Sequence, residues 1–432
     1  MEIATEHRQR DEVSVAVFFT SGMSMGIVAR RMASVRASET KAMTARAAAL
    51  RADGKSIITL SQGEPDFETP EHVRAAGRHA IDRGFTRYTA VPGTLLLREA
   101  IAAKLRRDNG LSVTVDQIVV GCGAKQVIFN ALFASLDPGD EVVIPAPCWV
   151  SYPEMVRLAG GLPVIVSTVA TGFKLTAEAL EGSLTERTKW LMLNSPCNPT
   201  GVVYSTAELL ALADVLTRWP NVWIISDDIY EKLVYDRTRF ATMAAVAPAL
   251  ASRTLTVNGL SKSHAMTGWR VGYGAGPLDI VKAISLIQSQ TTSHTSSISQ
   301  HAAAEALNGD NGFLEQFREE YRVRRDIVIE SLNAVPGLEA LKPDGAFYVF
   351  VSCDGLIHSQ APSGRVIETD VDLAMYFLEE AGVAVVPGSG FLASPFFRVS
   401  YASATLDIHV ACLRIAAACR RLEPMDQHAA AR

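Results

Sequence analysis

The sequence predicts an α/β protein with a largely parallel, buried sheet and a second, smaller α+β lobe. Short apolar runs without polar alternation recur along the middle of the chain, and helical patterns separate them. Strands that are apolar throughout are typical of parallel sheets covered on both faces by helices. The chain has 432 residues, 48% of them hydrophobic, which is enough for two domains with substantial cores.

The predicted elements follow in a regular order. A helical pattern over 27–52 precedes a short strand at 56–60. The main strands, with helices between them, are predicted at 117–120, 141–145, 163–166, 188–193, 222–226 and 254–257. The smaller lobe is predicted to contain a charged helix over 315–332, strands at 346–351 and 397–401, and helices at 370–381 and 407–422.

Composition argues against several classes of protein. The net charge is −5 and no basic stripe is present, so no nucleic-acid partner is expected. The six cysteines show neither a CxxC pair nor metal-ligand spacing, which favours reduced thiols and no metal. No apolar run approaches the length of a membrane span. We therefore expect a cytoplasmic protein, and we expect residues 1–25 to be a disordered N-terminal extension.

The most informative segment is Asn258–Arg270. Lys262 lies among small residues, and a Gly-Trp-Arg sequence ends the segment at Arg270. A lysine whose pKa is lowered can form a Schiff base with pyridoxal phosphate, and an arginine fork suits the phosphate of the same cofactor. The alternative is a surface lysine and a surface arginine in a glycine-containing loop. The segment alone leaves both readings open.

Polar residues at strand ends bear on that choice, because ligands of open α/β sheets bind beyond the carboxyl ends of strands. The turn 121–125 could hold a phosphate at a helix N-terminus, or glycine could simply make the turn. The loop 194–201 could supply Asn198 to a pyridoxal ring, or be an ordinary turn. Asp227 could pair with a pyridinium nitrogen or cap a helix. Arg398, in an apolar strand of the smaller lobe, needs a carboxylate partner from the protein or a substrate.

Together and in this order, these features resemble the class I (fold-type I) pyridoxal-phosphate aminotransferases, most closely their bacterial aspartate/prephenate branch. The resemblance covers about residues 27–420. Its most specific motifs are Ser61–Phe67, Trp149–Met155, Asn198–Gly201, Ser226–Tyr230 and the Lys262 segment. It implies a large cofactor-binding domain, residues 73–312, with a mostly parallel seven-stranded sheet. It also implies a small domain made of 26–72 and 313–432.

The resemblance implies roles for the residues around pyridoxal 5′-phosphate. Lys262 forms the Schiff base and then acts as the base that transfers a proton. Asp227 binds the pyridine nitrogen. Asn198 and Tyr230 bind the phenolic oxygen, and Trp149 stacks on the ring. Each of these residues would otherwise be read as an ordinary loop, cap or core residue.

The phosphate is implied to bind Gly123, Ala124 and Arg270. Tyr88 is implied to reach the phosphate of the neighbouring subunit, in a homodimer with shared active sites. The α-carboxylate of the amino-acid substrate is implied to bind Gly63 and Arg398, with Trp149 and Asn198 beside it.

Lys125 and Ser38 match a lysine and a serine that meet the distal carboxylate of the substrate in the aspartate/prephenate branch; a helix-start lysine is the alternative. The chain departs from the family at Gly259, where a serine is common, at His264, where Tyr or Phe is usual, and at His301, near a usual aromatic position. These departures concern the identity of the substrate rather than the binding of the cofactor.

The implied reaction is a ping-pong transamination that moves an amino group from an aspartate-like or aromatic L-amino acid to a 2-oxo acid such as 2-oxoglutarate. Two alternatives stay open from sequence. One is a β-elimination lyase on the same fold, which releases pyruvate and ammonia. The other is a regulator that senses pyridoxal phosphate without catalysis, which would need an added DNA-binding module.

Overall fold

The computed structural model of the protein describes residues 27–35 and 39–425. Residues 39–425 belong to one compact unit, and residues 27–35 belong to another, which contains a 3-10 turn at Arg30–Ser34. The helix predicted over 27–52 is shorter in the structure, Glu39–Ala52. The predicted disordered extension, residues 1–25, lies outside the described residues.

Some of the helices begin at residues whose side chains cap them. The Thr94 hydroxyl accepts a hydrogen bond from the Leu97 amide at 3.3 Å, and Gly110 ends the same helix with φ +69°. None of the described helices is long and apolar enough to span a membrane. The helices are α1 Glu39–Ala52, α2 Glu71–Asp82, α3 Leu95–Asn109, α4 Ala124–Ser135, α5 Tyr152–Leu158, α6 Ala177–Ser183, α7 Thr206–Thr217, α8 Met243–Val246, α9 Leu278–Thr291, α10 Ser297–Asn308, α11 Phe313–Asn333, α12 Asp370–Tyr376 and α13 Thr405–Cys419.

Most of the strands are apolar. They are β1 Ile58–Thr59, β2 Ile118–Cys122, β3 Glu141–Ala146, β4 Leu162–Ser167, β5 Thr188–Asn194, β6 Trp223–Asp227, β7 Thr254–Gly259, β8 Val271–Ala275, β9 Glu339–Ala340, β10 Tyr348–Ser352, β11 Ser359–Gln360, β12 Val366–Ile367, β13 Val383–Ala384, β14 Val386–Pro387, β15 Phe396–Ser400 and β16 Glu423–Pro424.

The principal sheet has seven strands in the order β2-β8-β7-β6-β5-β3-β4. All neighbouring pairs are parallel except the two that involve β8. Alternate residues of each strand enter different cores, as Ile225 packs against α4 and α9 while Ile224 packs against α7. Helices therefore cover both faces, which explains the continuous apolar runs and confirms the predicted α/β fold class.

The reversed strand β8 shapes the ligand-binding edge. Because β8 runs against its neighbours, its N-terminal end lies at the edge where β5, β6 and β7 have their carboxyl ends. Gly272 in β8 lies against the start of α4, where a β-carbon would collide with the Ala124 amide nitrogen. The turn at 121–124 and the strand that follows Arg270 are thus packed directly together.

A second sheet, in the order β14-β15-β10-β9, lies within residues 339–400 and is antiparallel. In it, Arg398 of β15 stands opposite Phe350 of β10. The short strand β1 pairs in parallel with β13, which links the two stretches assigned to the small domain. The large sheet falls inside 73–312 and the second sheet inside 313–432, but the domain boundaries themselves stay a prediction.

Candidate active site

A cavity of about 710 Å³ opens at the carboxyl edge of the seven-stranded sheet. We call it the first cavity. The predicted site residues that line it are Gly63, Ala124, Lys125, Trp149, Asn198, Asp227, Tyr230, Lys262, Arg270 and Arg398. Gly123 adjoins it through Arg270. Tyr88 is not among the lining residues, and Ser38 lies outside the described residues.

Lys262 follows β7, and its side chain enters the first cavity. Its Nζ donates a hydrogen bond to the Gly63 carbonyl oxygen at 2.5 Å. Burial of the amine lowers the pKa of Lys262 to about 8, and the nearby Glu64 carboxylate partly opposes this shift. The lowered pKa increases the fraction of neutral amine near neutral pH, and the neutral amine is the form that a nucleophilic lysine needs.

Asp227 ends β6 and is only 4% exposed. Its Oδ2 accepts a 2.6 Å hydrogen bond from the Tyr152 hydroxyl, and its Oδ1 accepts from the Ile229 amide at 3.3 Å. Burial raises the pKa of Asp227 to about 6, while these hydrogen bonds act in the opposite direction. A cation placed against this carboxylate would keep it ionised, so the position fits a pyridinium nitrogen.

The loop after β5 is held to β6 by side-chain amides. Asn194 Nδ2 donates to the Asp227 carbonyl oxygen at 2.9 Å, and Asn194 Oδ1 accepts from the Asn198 amide at 2.8 Å. The loop contains cis peptide bonds before Pro196 and Pro199. Asn198 Oδ1 accepts a 2.8 Å hydrogen bond from Arg398 Nη1, which leaves the Asn198 amino group as the donor for a ligand.

Arg398 is only 2% exposed. Besides Asn198, it donates to the Ser61 carbonyl oxygen at 2.7 Å, and its guanidinium lies 4.4 Å from the centre of the Tyr348 ring. Burial lowers the pKa of Arg398. Its Nε is buried and has no hydrogen-bond partner within residues 27–35 and 39–425. A buried arginine held by neutral acceptors fits a carboxylate ligand.

The other end of the first cavity offers groups for a phosphate. Arg270 is anchored by its Nη1 to the Thr267 carbonyl oxygen at 2.9 Å and by its Nη2 to the Cys122 carbonyl oxygen at 3.2 Å. Gly123 has φ +82°, and a β-carbon there would collide with the Arg270 guanidinium. Helix α4 begins at Ala124, so its first amides and its dipole point to the same place.

Lys125 and Trp149 lie together at the opening of the first cavity. Lys125 Nζ lies 4.5 Å from the centre of the Trp149 ring and donates to the Ser151 hydroxyl at 3.1 Å. The Trp149 ring meets the Tyr152 ring edge-on at 5.3 Å. The indole is thus held by α5, the helix that also positions the hydroxyl on Asp227.

Some lining residues were not assigned a role from sequence. Tyr348 shares a 2.8 Å hydrogen bond between hydroxyls with Tyr230, and Tyr152 donates to Asp227. Tyr152 lies inside the Trp149–Met155 motif, which was a usable signal. Tyr348 gives no such signal, because it is one of many aromatic residues in an apolar strand. Helix α1 also reaches the cavity, through Thr44, Ala45 and Ala48.

Both histidine departures from the family pattern, His264 and His301, lie away from the first cavity. His264 Nδ1 shares a 2.8 Å hydrogen bond with Ser263 Oγ, and His264 Nε2 shares a 2.9 Å hydrogen bond with Asn311 Oδ1. Burial lowers the pKa of His264 to about 4, which keeps the imidazole neutral. His301 stacks on Phe85 with ring centres 4.3 Å apart. Neither residue lines the first cavity, so within this chain neither contacts a ligand there.

The donor set fits one cofactor along its whole length. A lysine with a lowered pKa, a buried carboxylate, an amide donor and an arginine beside a helix N-terminus match the aldehyde, ring nitrogen, phenolic oxygen and phosphate of pyridoxal 5′-phosphate. Fold and site together define a fold-type I pyridoxal-phosphate enzyme. The profile described as Aminotransferase class I and II matches residues 55–415, and the chain belongs to this family.

Proteins with similar sequences are named as aminotransferases. The aspartate aminotransferase of Rhizobium meliloti (strain 1021) is 52% identical over 395 residues, which is 91% of this chain and 96% of that protein. The aspartate/prephenate aminotransferase of Cereibacter sphaeroides is 51% identical over 399 residues, 92% of this chain and 100% of that protein.

Solved structures with similar folds belong to aminotransferases as well. The crystal structure of the Rhizobium meliloti aspartate aminotransferase superposes with a TM-score of 0.90 at 51% identity, covering 93% of this chain and 100% of that one. The Thermus thermophilus aspartate aminotransferase with maleate gives 0.84 at 44% identity, covering 90% and 99%. The chain is therefore a pyridoxal-phosphate-dependent aminotransferase and an enzyme. The lyase left open by the sequence finds no support in these relatives.

Proposed function

We propose that this enzyme transfers the amino group of L-aspartate to a 2-oxo acid such as 2-oxoglutarate by a ping-pong mechanism. The observation that carries the proposal is that, besides Arg270 at the phosphate end, the cavity that contains Lys262 holds two further cations, Arg398 and Lys125. Two cations suit a substrate with two carboxylates. The names of the relatives from Rhizobium meliloti and Cereibacter sphaeroides support the same substrate class.

The cofactor is held through contacts with each of its polar groups. When bound, pyridoxal 5′-phosphate supplies an aldehyde for amines and a ring that withdraws electrons. Asp227 keeps the ring nitrogen protonated. The Asn198 amino group and the Tyr230 hydroxyl donate to the phenolic oxygen, and Trp149 covers the ring.

The phosphate is bound by Arg270 and by the turn at Gly123 and Ala124. The collision that a β-carbon at Gly123 would cause with Arg270 supports this role, because only glycine leaves room for the guanidinium. The helix N-terminus at Ala124 adds amide donors to the same oxygens.

Lys262 is both the attachment point and the proton-transfer base. With the cofactor and substrate bound, the neutral Nζ would accept the proton from the substrate α-carbon and pass it to the cofactor carbon that carried the aldehyde. A pKa of about 8 supports this role, because the neutral amine is the form that accepts a proton.

The substrate is oriented by its two carboxylates. Arg398, with Gly63 beside it, binds the α-carboxylate, and Trp149 and Asn198 flank it. Lys125 binds the distal carboxylate, helped by Ser38, for which no structural support exists because it lies outside the described residues.

We also propose that the protein works in the cytoplasm as a homodimer with shared active sites. Tyr88 supports the second point, because this large aromatic side chain is 91% exposed in the single chain. In a dimer it would reach the phosphate of the neighbouring subunit. Sedimentation of the purified protein at several concentrations tests the dimer.

A half-reaction tests the transamination. Purified enzyme with bound cofactor is mixed with L-aspartate and no acceptor. We expect one equivalent of oxaloacetate per active site and a matching loss of the cofactor's aldehyde absorbance, since no acceptor restores the aldehyde. Continuous release of pyruvate and ammonia would contradict the proposal.

A Lys125→Gln variant tests the substrate class. We expect kcat/KM for L-aspartate to fall about tenfold or more, on the scale of one charged hydrogen bond, and kcat/KM for L-alanine to stay nearly unchanged. Lys55→Gln, at an exposed lysine away from the first cavity, is the matched control. Equal losses for both substrates would argue against a distal-carboxylate role.

A further inference from the structure

The turn that carries Tyr230 forms ion pairs with residues near the C-terminal end of α3. We call the four charged residues Lys104, Asp108, Glu231 and Lys232 the clamp. Lys104 forms an ion pair with Glu231, the residue that follows Tyr230. Asn109 bridges this pair, because its Nδ2 donates to Glu231 Oε2 at 2.7 Å and its Oδ1 accepts from Lys104 Nζ at 2.8 Å. One residue further along the turn, Lys232 Nζ pairs with Asp108, also on α3, at 2.8 Å.

The Lys104–Glu231 pair is buried, with side chains 4% and 5% exposed. Burying two charges is expensive, and replacing such a pair by apolar residues often does not reduce stability. The pair therefore needs an explanation other than stability. Its location beside an active-site tyrosine, rather than in either domain core, supplies one.

The clamp is connected to Tyr230 through the backbone of the turn. The Glu231 amide donates to the Asp228 carbonyl oxygen at 2.9 Å, and the Leu233 amide donates to the Tyr230 carbonyl oxygen at 2.8 Å, so the turn is tight. Fixing the Glu231 side chain therefore fixes the backbone on which the Tyr230 ring stands. Within residues 27–35 and 39–425, the side-chain hydrogen-bond partner of the Tyr230 hydroxyl is the Tyr348 hydroxyl, at 2.8 Å.

The charged groups of the clamp do not enter the first cavity. Lys104, Glu231, Asp108 and Lys232 line a second cavity of about 300 Å³, which shares no lining residue with the first. They therefore cannot touch the cofactor or the substrate, and any effect that they have on the reaction must pass through the turn.

We propose that Lys104 and Glu231 are positioning residues. Their buried ion pair holds the Tyr230 hydroxyl where it can donate a hydrogen bond to the phenolic oxygen of the cofactor. This inference rests on the proposed contact between Tyr230 and that oxygen. The ion pair supplies a fixed backbone, and the fixed backbone makes the hydrogen bond from Tyr230 strong.

The readout is the pH midpoint of the visible absorbance of the bound cofactor. A hydroxyl that donates to the phenolic oxygen stabilises negative charge there, so a weaker hydrogen bond raises the midpoint. We expect Glu231→Gln to raise it by about 0.5 to 1 pH unit, the scale of one hydrogen bond. Glu208→Gln, in the partly exposed pair with Lys174, is the matched control and should leave the midpoint unchanged.

A double-mutant cycle with Tyr230→Phe separates positioning from a general disturbance. We expect Tyr230→Phe to raise the midpoint and Glu231→Gln to add nothing in that background. If Glu231→Gln shifts the midpoint equally in both backgrounds, or does not shift it at all, the proposal is overturned. If Tyr230→Phe itself leaves the midpoint unchanged, the proposed role of Tyr230 fails, and the inference fails with it.

A second variant guards against misfolding. Lys104→Met combined with Glu231→Leu removes both charges together and leaves neither buried unpaired, so it is expected to fold. It should show the same rise in midpoint as Glu231→Gln. A folded double variant with the wild-type midpoint would show that the ion pair does not position Tyr230.

Discussion

The floor and the rim of the first cavity hold charged groups in different surroundings. On the floor, Asp227 and Arg398 are 4% and 2% exposed, and burial shifts the pKa of each toward its neutral form. On the rim, Arg270 and Lys125 are exposed. The floor arginine is held by a side-chain amide and a carbonyl, whereas the rim arginine is held by two backbone carbonyls.

The difference in burial means that the floor groups lose hydration when the protein folds, whereas the rim groups keep it. Floor charges are removed from water before any ligand binds, so their interactions with a ligand are strong and poorly screened by salt. Rim charges stay hydrated and are screened. Substitutions on the floor should therefore have larger effects on catalysis and stability than chemically equal substitutions on the rim.

Arg398→Leu should have the largest effect. It removes the floor cation proposed to bind the α-carboxylate, and we expect kcat/KM for L-aspartate to fall by about two to three orders of magnitude. Cofactor absorbance should persist, since Arg398 does not hold the cofactor. Arg398→Lys, which keeps the charge but loses the fork, should recover only part of the activity. Near-normal kcat/KM in the leucine variant would show that Arg398 does not bind the α-carboxylate of the substrate.

Asp227→Asn should separate stability from function. The pKa of Asp227 is raised to about 6 in the folded protein, so its contribution to stability is favourable below about pH 4 and is lost as pH rises to about 6. At pH 8 the ionised carboxylate costs up to about 3 kcal/mol in cofactor-free protein. The variant should then be more stable than wild type in urea at pH 8, and equally stable at pH 4.

The control for that measurement is Asp236→Asn. Although burial opposes the shift, Arg325 lowers the pKa of Asp236, so the same substitution there should reduce stability at pH 8. If both variants change stability in the same direction, burial is not what distinguishes the floor. With cofactor bound, Asp227→Asn should lose most of its activity, because an amide does not keep the ring nitrogen protonated.

Arg270→Gln should have the smallest effect of the three. We expect the cofactor to dissociate about tenfold more readily, since the amides of α4 still contact the phosphate, and KM for L-aspartate at saturating cofactor to change little. Equilibrium dialysis against free pyridoxal 5′-phosphate measures this, with the exposed Arg239→Gln as control. High salt should reduce the difference between the Arg270 variant and wild type, as screening of a rim charge requires.

The residues at strand ends were predictable from sequence because their position is fixed by local pattern. Asp227 follows an apolar strand, and Lys262 follows the next one, so the shared edge brought them together. Arg398 was predictable as a cation inside an apolar strand, but its sequence position left open whether a protein or a substrate carboxylate binds it. The sequence also predicted the parallel sheet, since several of the strands are apolar runs without regular polar alternation.

Contacts between distant segments were not predictable in the same way. Tyr348 reaches Tyr230 from a strand whose aromatic residues look alike in sequence. The helix predicted over 27–52 was extended too far, because Ala and Met patterns favour a helix but do not fix where it starts. The Lys104–Glu231 pair joins residues 127 positions apart, and no local pattern marks it.

Strand β8 runs against its neighbours, and this has a consequence for the segment between β7 and β8. The segment leaves the sheet and returns to it at the same edge, carrying Lys262 near its start and Arg270 at its end. Its two ends are joined to adjacent strands, so its length sets the distance between Lys262 and Arg270, the residues proposed to bind the aldehyde and the phosphate. A single insertion or deletion there would disturb both ends of the cofactor at once.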